Sequence, residues 1–210
     1  MHLEQQSKSL LEQAKGYAYE YANGAAQRNV FPSKQALAGL EQFVEDLPAS
    51  SGDATTILKQ LHEYGSPATT AQTGGRYFGF VNGGILPVTL ATKWLSDFWD
   101  QNTALYAMSP VVSKLEEICE SWLKQLFGLP DSTVAGFVSG TSSAILCGLA
   151  AARYRLLHNQ GWDFNQQGHN GAPALRIIAG RHIHGAVTKA VALLGFGLDN
   201  IEWVEGDDQG

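Results

Sequence analysis

Apolar residues recur every three to four positions at Leu10, Leu11, Ala14, Tyr17, Ala18 and Tyr21, which predicts an amphipathic helix from about Leu3 to Tyr21. A second helix is predicted to start at Ser33 and to carry Leu37, Leu40, Phe43 and Val44; a third runs from Asp53 as its cap to Gly65 as its stop. These helices are short and separated, so they read either as a small helical domain or as an arm that clasps a partner subunit. A longer helix begins at Ser109 with Pro110 in its first position, sets Val112, Leu115, Ile118, Cys119, Trp122 and Leu126 on one face, and ends at Gly128 before Pro130. Glu116, Glu117, Glu120 and Lys124 fall mainly on the other face, where solvation accounts for them without any chemistry.

From Val134 the period changes. Val134–Val138 reads as a strand, Ser139 to Ser143 as a turn, Ala144 to about Leu157 as a helix and Asn159 to Ala172 as a polar loop. Leu175–Ala179 then reads as a strand, His184 to Leu194 as a helix ended by Gly195, and Ile201–Val204 as the next strand. Alternating strands and helices predict an α/β fold with a mainly parallel sheet. About three strands are few for an open sheet covered on both faces, so the sheet is expected to be incomplete. The expected division is a helical arm and loop over residues 1–95 and the α/β part over 96–210.

Composition narrows the partners. With 44% hydrophobic residues in 210, the chain can bury a core, and a net charge of −6 without a basic run offers no electrostatic reason to expect nucleic acid or an anionic membrane. Cys119 and Cys147 lie in helical segments without metal-ligand spacing, which suggests a reduced compartment. The start, Met1 to Gln6, lacks the order of a secretory signal, and no stretch approaches the ~18 apolar residues of a membrane span, so a soluble cytoplasmic protein is expected.

Three places could carry chemistry. Ser66 to Gly84 is a Gly-, Thr- and Ser-rich loop around the aromatic run Arg76 to Val81, and Asn82-Gly83-Gly84 forms either a pocket lining or a plain turn. Ser139-Gly140-Thr141-Ser142-Ser143 opens into a helix and offers backbone N–H groups and hydroxyls to one point, which caps the helix, binds an anion such as phosphate, or does both. It matches neither the Gly-x-Gly-x-x-Gly nor the Gly-x-x-x-x-Gly-Lys pattern, which disfavours NAD and ATP. His184 follows a strand at the rim where open α/β sheets collect ligands; with His182 it lacks a third ligand, so no metal site is expected.

Four blocks together resemble the group II pyridoxal-phosphate-dependent amino-acid decarboxylases, which include aromatic-amino-acid and glutamate decarboxylases. They are Arg76-Tyr-Phe-Gly-Phe-Val-Asn-Gly-Gly84, Asp100-Gln-Asn-Thr-Ala-Leu-Tyr-Ala-Met-Ser-Pro110, Gly136-Phe-Val-Ser-Gly-Thr-Ser-Ser-Ala144 and His184-Gly-Ala-Val-Thr-Lys-Ala190. The resemblance covers nearly the whole chain and is strongest from Arg76 to Gly197. It implies the amino-terminal part of the aspartate-aminotransferase type fold (fold type I), preceded by a helical arm that wraps the second subunit of a homodimer. It further implies that Thr141, Ser142 and Ser143 hold the phosphate of pyridoxal 5'-phosphate. His184 would stack on the pyridine ring and help place an amino-acid substrate. Phe80, Val81, Asn82 and Gly83 match the substrate-pocket segment, and Asn102 to Met108 a stretch reaching a neighbouring active site.

The chain departs from the family pattern in two ways. Ala144-Ile145 supplies neither the Asn nor the Glu that often follows the phosphate turn in relatives. The aspartate that pairs with the pyridine nitrogen and the Schiff-base lysine lie, by the same resemblance, in a second half that these 210 residues do not reach. Lys189 is no substitute, because its place within a helix turns it to solvent. The expectation is one half of a decarboxylase, inactive alone: a truncated gene product, a processed fragment, or one chain of a split enzyme completed by a second polypeptide. The other readings are a remnant that binds a full-length relative and a separate domain for a phosphorylated small molecule. Exposed sheet edges and apolar faces are expected in the chain by itself.

Overall fold

In a computed structural model, which describes residues 5–206, the chain divides into two compact units between Asp100 and Gln101. The first unit opens with helix α1 (Gln5–Gly24), the helix expected from the apolar period; Leu3 lies outside the described residues. Tyr17 of α1 stacks flat on His62, ring centroids 3.9 Å apart. Helix α2 (Lys34–Gly39) starts where Ser33 Oγ accepts the Ala36 N–H at 3.1 Å, and a 3-10 turn, Leu40–Phe43, extends it. Helix α3 (Ala54–Gln60) starts at Asp53, whose carboxylate accepts the Thr56 N–H at 2.8 Å, and passes into a wider π turn, Leu61–Gly65. Both caps act as the residue types require, with the side-chain oxygen satisfying an otherwise free helical N–H.

Arg28 ties these pieces together. Its Nη2 donates to the carbonyls of Ser66 (2.7 Å) and Thr69 (3.1 Å), and its guanidinium lies 4.5 Å above the Tyr21 ring. The loop over 66–84 contains one 3-10 turn, Ser66–Ala68.

Helix α4 (Pro87–Trp99) was not among the expected elements. Its signals are present in the sequence: Pro87 at the first position, and Leu90, Trp94 and Phe98 at four-residue spacing. The aromatic and glycine-rich segment before it draws attention to a loop, yet the apolar stripe is helical. Asp100 ends the helix in the left-handed region at φ 46.

The second unit contains α5 (Pro110–Phe127), ended by Gly128 at φ 61 as its sequence requires. Glu120 proves to be more than a solvated face residue. One carboxylate oxygen accepts the Ala135 N–H at 3.0 Å and the other pairs with Lys124 at 3.2 Å, and the Ala135 bond, with Lys124 second, holds its carboxyl below the usual Glu value.

Val134–Val138 is not a strand. An extended segment becomes a strand only by pairing, and among the described residues the sheet consists of β1 (Ile177–Gly180) and β2 (Ile201–Val204). The Ala135 N–H goes to the Glu120 side chain and not to a neighbouring strand, and Val134 is 83% exposed. The expected three strands are therefore two. They pair in parallel, Ile177 beside Ile201 and Gly180 beside Val204.

Helix α6 (Thr141–His158) begins inside the expected turn, and a short helix α7 (Phe164–Gln167) interrupts the expected polar loop, started by Asp163 accepting the Asn165 N–H at 3.0 Å. Helix α8 (Gly185–Leu193) crosses from β1 to β2 and packs on α6. Leu157, Ala190, Val191, Leu194 and Ile201 are buried where these elements meet. Large apolar residues elsewhere are open, among them Phe78, Val81, Trp122 and Leu126. Among the described residues no helix is long and apolar enough to cross a membrane.

Candidate functional site

Helix α6 starts without a side-chain cap, because its N-cap is Gly140, in an extended conformation. Thr141 and Ser142 are exposed and Ser143 half-buried. Among the described residues none of the three hydroxyls has a hydrogen-bond partner. The first N–H groups of an 18-residue helix have no intrahelical acceptor and carry the positive end of its dipole. Hydroxyls and free N–H groups at a helix start are the kind of donors that an oxyanion such as phosphate can use. Capping, the competing expectation for Thr141 and Ser142, is not what these side chains do.

His184 stands four residues beyond the end of β1, at the carboxyl edge of the strands, and is the N-cap of α8. Its Nδ1 accepts the Ala186 N–H at 3.1 Å, and the ring is otherwise exposed. The same rim is closed by the Arg181 N–H donating to the Val204 carbonyl at 3.2 Å and by an ion pair between Arg181 and Glu205. His182 is exposed. Lys189, in the middle of α8, is exposed as well. The unit thus holds the Thr141–Ser143 donors and His184 on two packed helices; among the described residues no hydrogen bond joins the ring to those hydroxyls.

The other expected site residues are placed as follows. Phe80 belongs to the first unit, 97% exposed and at φ 44, a backbone region that a bulky residue seldom occupies. Val81, Asn82 and Gly83 beside it are exposed. In the second unit Asn102 folds back on its own segment, its Oδ1 accepting the Ala104 N–H at 3.0 Å, and Tyr106 is exposed.

Sequence reasoning missed a cluster around Arg153. Its guanidinium lies 3.7 Å above the Phe164 ring, and His169 meets the edges of Phe164 and Phe196 at 4.7 and 6.3 Å. Burial pushes the guanidinium pKa down, and its Nε is buried without a partner. Arg153 and His169 line a cavity of about 360 Å³ with Arg176, Asn200 and Glu202, at the amino edge of the strands, the edge opposite His184. These residues are scattered over four segments with no common spacing, so no sequence signal marks the cluster.

A family model described as the pyridoxal-dependent decarboxylase conserved domain matches residues 39–209. Solved structures share the fold. The crystal structure of mouse CSAD superposes with a TM-score of 0.84 at 22% identity, over 97% of this chain and 43% of that one. Oryza sativa TDC with PLP and tryptamine gives 0.83 at 22% identity, over 100% and 44%. Catharanthus roseus tryptophan decarboxylase in complex with L-tryptophan gives 0.82 at 19%, over 100% and 45%. The chain thus spans less than half the length of the solved proteins it matches, and its fold is the amino-terminal part of theirs, fold type I.

Proposed function

The chain belongs to the pyridoxal-dependent decarboxylase family, and from that premise we propose that it supplies the phosphate cup and the ring-facing histidine of a site that decarboxylates an amino acid. The observation that carries the reading is the helix start at Thr141, where three consecutive hydroxyl side chains without a protein partner stand on the first turn beside its free N–H groups. Thr141, Ser142 and Ser143 bind and orient the phosphate, and His184 covers the ring and donates to the substrate.

Bound pyridoxal phosphate supplies an electron sink for the pair of electrons left when carbon dioxide departs. That chemistry also calls for a carboxylate against the pyridine nitrogen and a lysine for covalent attachment. The exposed Lys189 is a poor candidate for the lysine, since a solvated ammonium on a helix face is neither desolvated nor held. Polypeptide outside these 210 residues provides both groups, and the 43% coverage of mouse CSAD supports this. The 210 residues alone bind the cofactor and do not turn over; the working assembly is a dimer, or a complex with the polypeptide that carries the second half, in the cytoplasm.

The test is to purify the chain from its native cells, reduce with borohydride and search by mass spectrometry for phosphopyridoxyl-lysine. The expected result is the label on a lysine outside residues 1–210, with Lys189 unmodified. Label on Lys189, or failure of the purified chain to bind pyridoxal phosphate in equilibrium dialysis, overturns the proposal.

A further inference from the structure

We infer that His184 divides its two ring nitrogens between the helix and the ligand: Nδ1 accepts the Ala186 N–H and holds the start of α8, which leaves the proton on Nε2 as a donor to an anionic oxygen of the ligand. The ligand half of this inference rests on the reading that His184 faces the cofactor site. The protein half rests on the 3.1 Å contact between Ala186 N and Nδ1.

An amide nitrogen can only donate, so Nδ1 must present its lone pair. A ring protonated on Nδ1, or on both nitrogens, would set two N–H donors against each other at that distance. A flipped ring would put a carbon there and leave the amide without a partner, since at the second position of a helix it has no carbonyl to bond. The neutral ring with its proton on Nε2 is the form that satisfies the geometry.

The backbone agrees. His184 has φ −63 and ψ 138, the extended conformation of an N-cap residue. Ser, Thr, Asp and Asn are the usual choices there, and each would cap α8 as well. Histidine adds a second ring nitrogen, distinct from the one that caps the helix. Neighbouring groups do not compete for it: Thr188 Oγ1 donates to the Gly185 carbonyl at 2.9 Å, and Arg181 is engaged with Glu205. The cap therefore makes His184 a donor and prevents it from serving as a proton acceptor at Nε2, while Ala186, through its backbone N–H, acts as the positioning residue.

The experiment is long-range proton–nitrogen NMR on the ¹⁵N-histidine-labelled 210-residue chain near neutral pH, with the His184 signals assigned by their loss in His184→Asn. A bare Nδ1 with a protonated Nε2 is expected; a proton on Nδ1, alone or with Nε2, overturns the inference. Melting temperature supplies a second reading. Asn can cap α8, so His184→Asn should melt close to the parent and His184→Ala below it. An equal loss in both variants, or none in either, overturns the capping role of Nδ1, and if His184→Ala fails to fold the NMR result still decides. Both readings are made without cofactor, so failure to bind pyridoxal phosphate refutes the proposed function and leaves the proton's position intact.

Discussion

Arg153 of α6 donates through Nη1 to the carbonyl of Leu194, 2.8 Å away across 41 residues of sequence, and so ties α6 to the end of α8. The His169 Nε2 lies against both groups, 2.7 Å from that carbonyl and 3.2 Å from the Arg153 Nη1. With Phe164 under the guanidinium, the arginine acts as a staple for helices that otherwise meet through small and aliphatic side chains. Arg153→Ala removes the bond and the ring contact together and should cost about 2 kcal/mol of folding stability. Arg153→Lys, which keeps the charge but not the flat face, should fall between the two in urea denaturation.

Gly195 follows α8 at φ +76, and a Cβ added there would come within 2.9 Å of His169 Nε2. Gly195→Ala is strained by its backbone and displaces the ring that bonds Leu194, so a loss of about 2 kcal/mol is expected. Thermal denaturation of the variant beside the parent measures it. A neutral effect would mean that His169 is not held where the Leu194 carbonyl draws it.

On the proposed function, removing the Thr141 and Ser142 hydroxyls should separate binding from folding. The Thr141 and Ser142 hydroxyls bond nothing among the described residues, so Thr141→Val with Ser142→Ala should leave stability within about 0.5 kcal/mol. Pyridoxal phosphate should bind at least roughly tenfold more weakly per hydroxyl, since a bond to a charged group contributes about 1.5 kcal/mol or more. Pyridoxal without its phosphate, used as a control, should bind parent and variant alike. Equilibrium dialysis with both ligands decides the matter.

Arg176 grips Glu202 with two bonds, Nε to Oε1 at 2.8 Å and Nη2 to Oε2 at 2.5 Å, on the side of the sheet where the two strands begin. The Arg176 hydrogen bonds pull the Glu202 carboxyl below its ordinary value of 4.5. A carboxyl whose folded pKa is depressed stabilises the fold above its unfolded pKa and loses that contribution as pH falls through the folded one. The stability difference between parent and Glu202→Gln should therefore be present at neutral pH, shrink below about pH 4.5, and vanish in stronger acid. The pair is exposed, so the difference should be small and should shrink further in added salt. Denaturant titrations from acid to neutral pH at low and high salt follow both trends.

Local chemistry made much of this protein legible from its sequence alone. Helix starts at Ser33, Asp53 and Pro110, the stop at Gly128 and the strand at Ile201 depend on interactions within a few residues, and those are written in neighbouring side chains. The donor-rich start of α6 and the rim position of His184 were readable for the same reason, with the family motifs behind them. What sequence could not decide involves partners distant along the chain. Val134–Val138 has the composition of a strand, but no strand lies beside it among the described residues, and pairing is not a local property. The Arg153, His169 and Phe164 cluster exists only because α6, α7 and α8 converge on the Leu194 carbonyl. The choice of Nδ1 as the acceptor in His184 came from one amide placed by the fold, since a histidine in sequence carries two equivalent claims to the proton and only its neighbours in space settle which nitrogen keeps it.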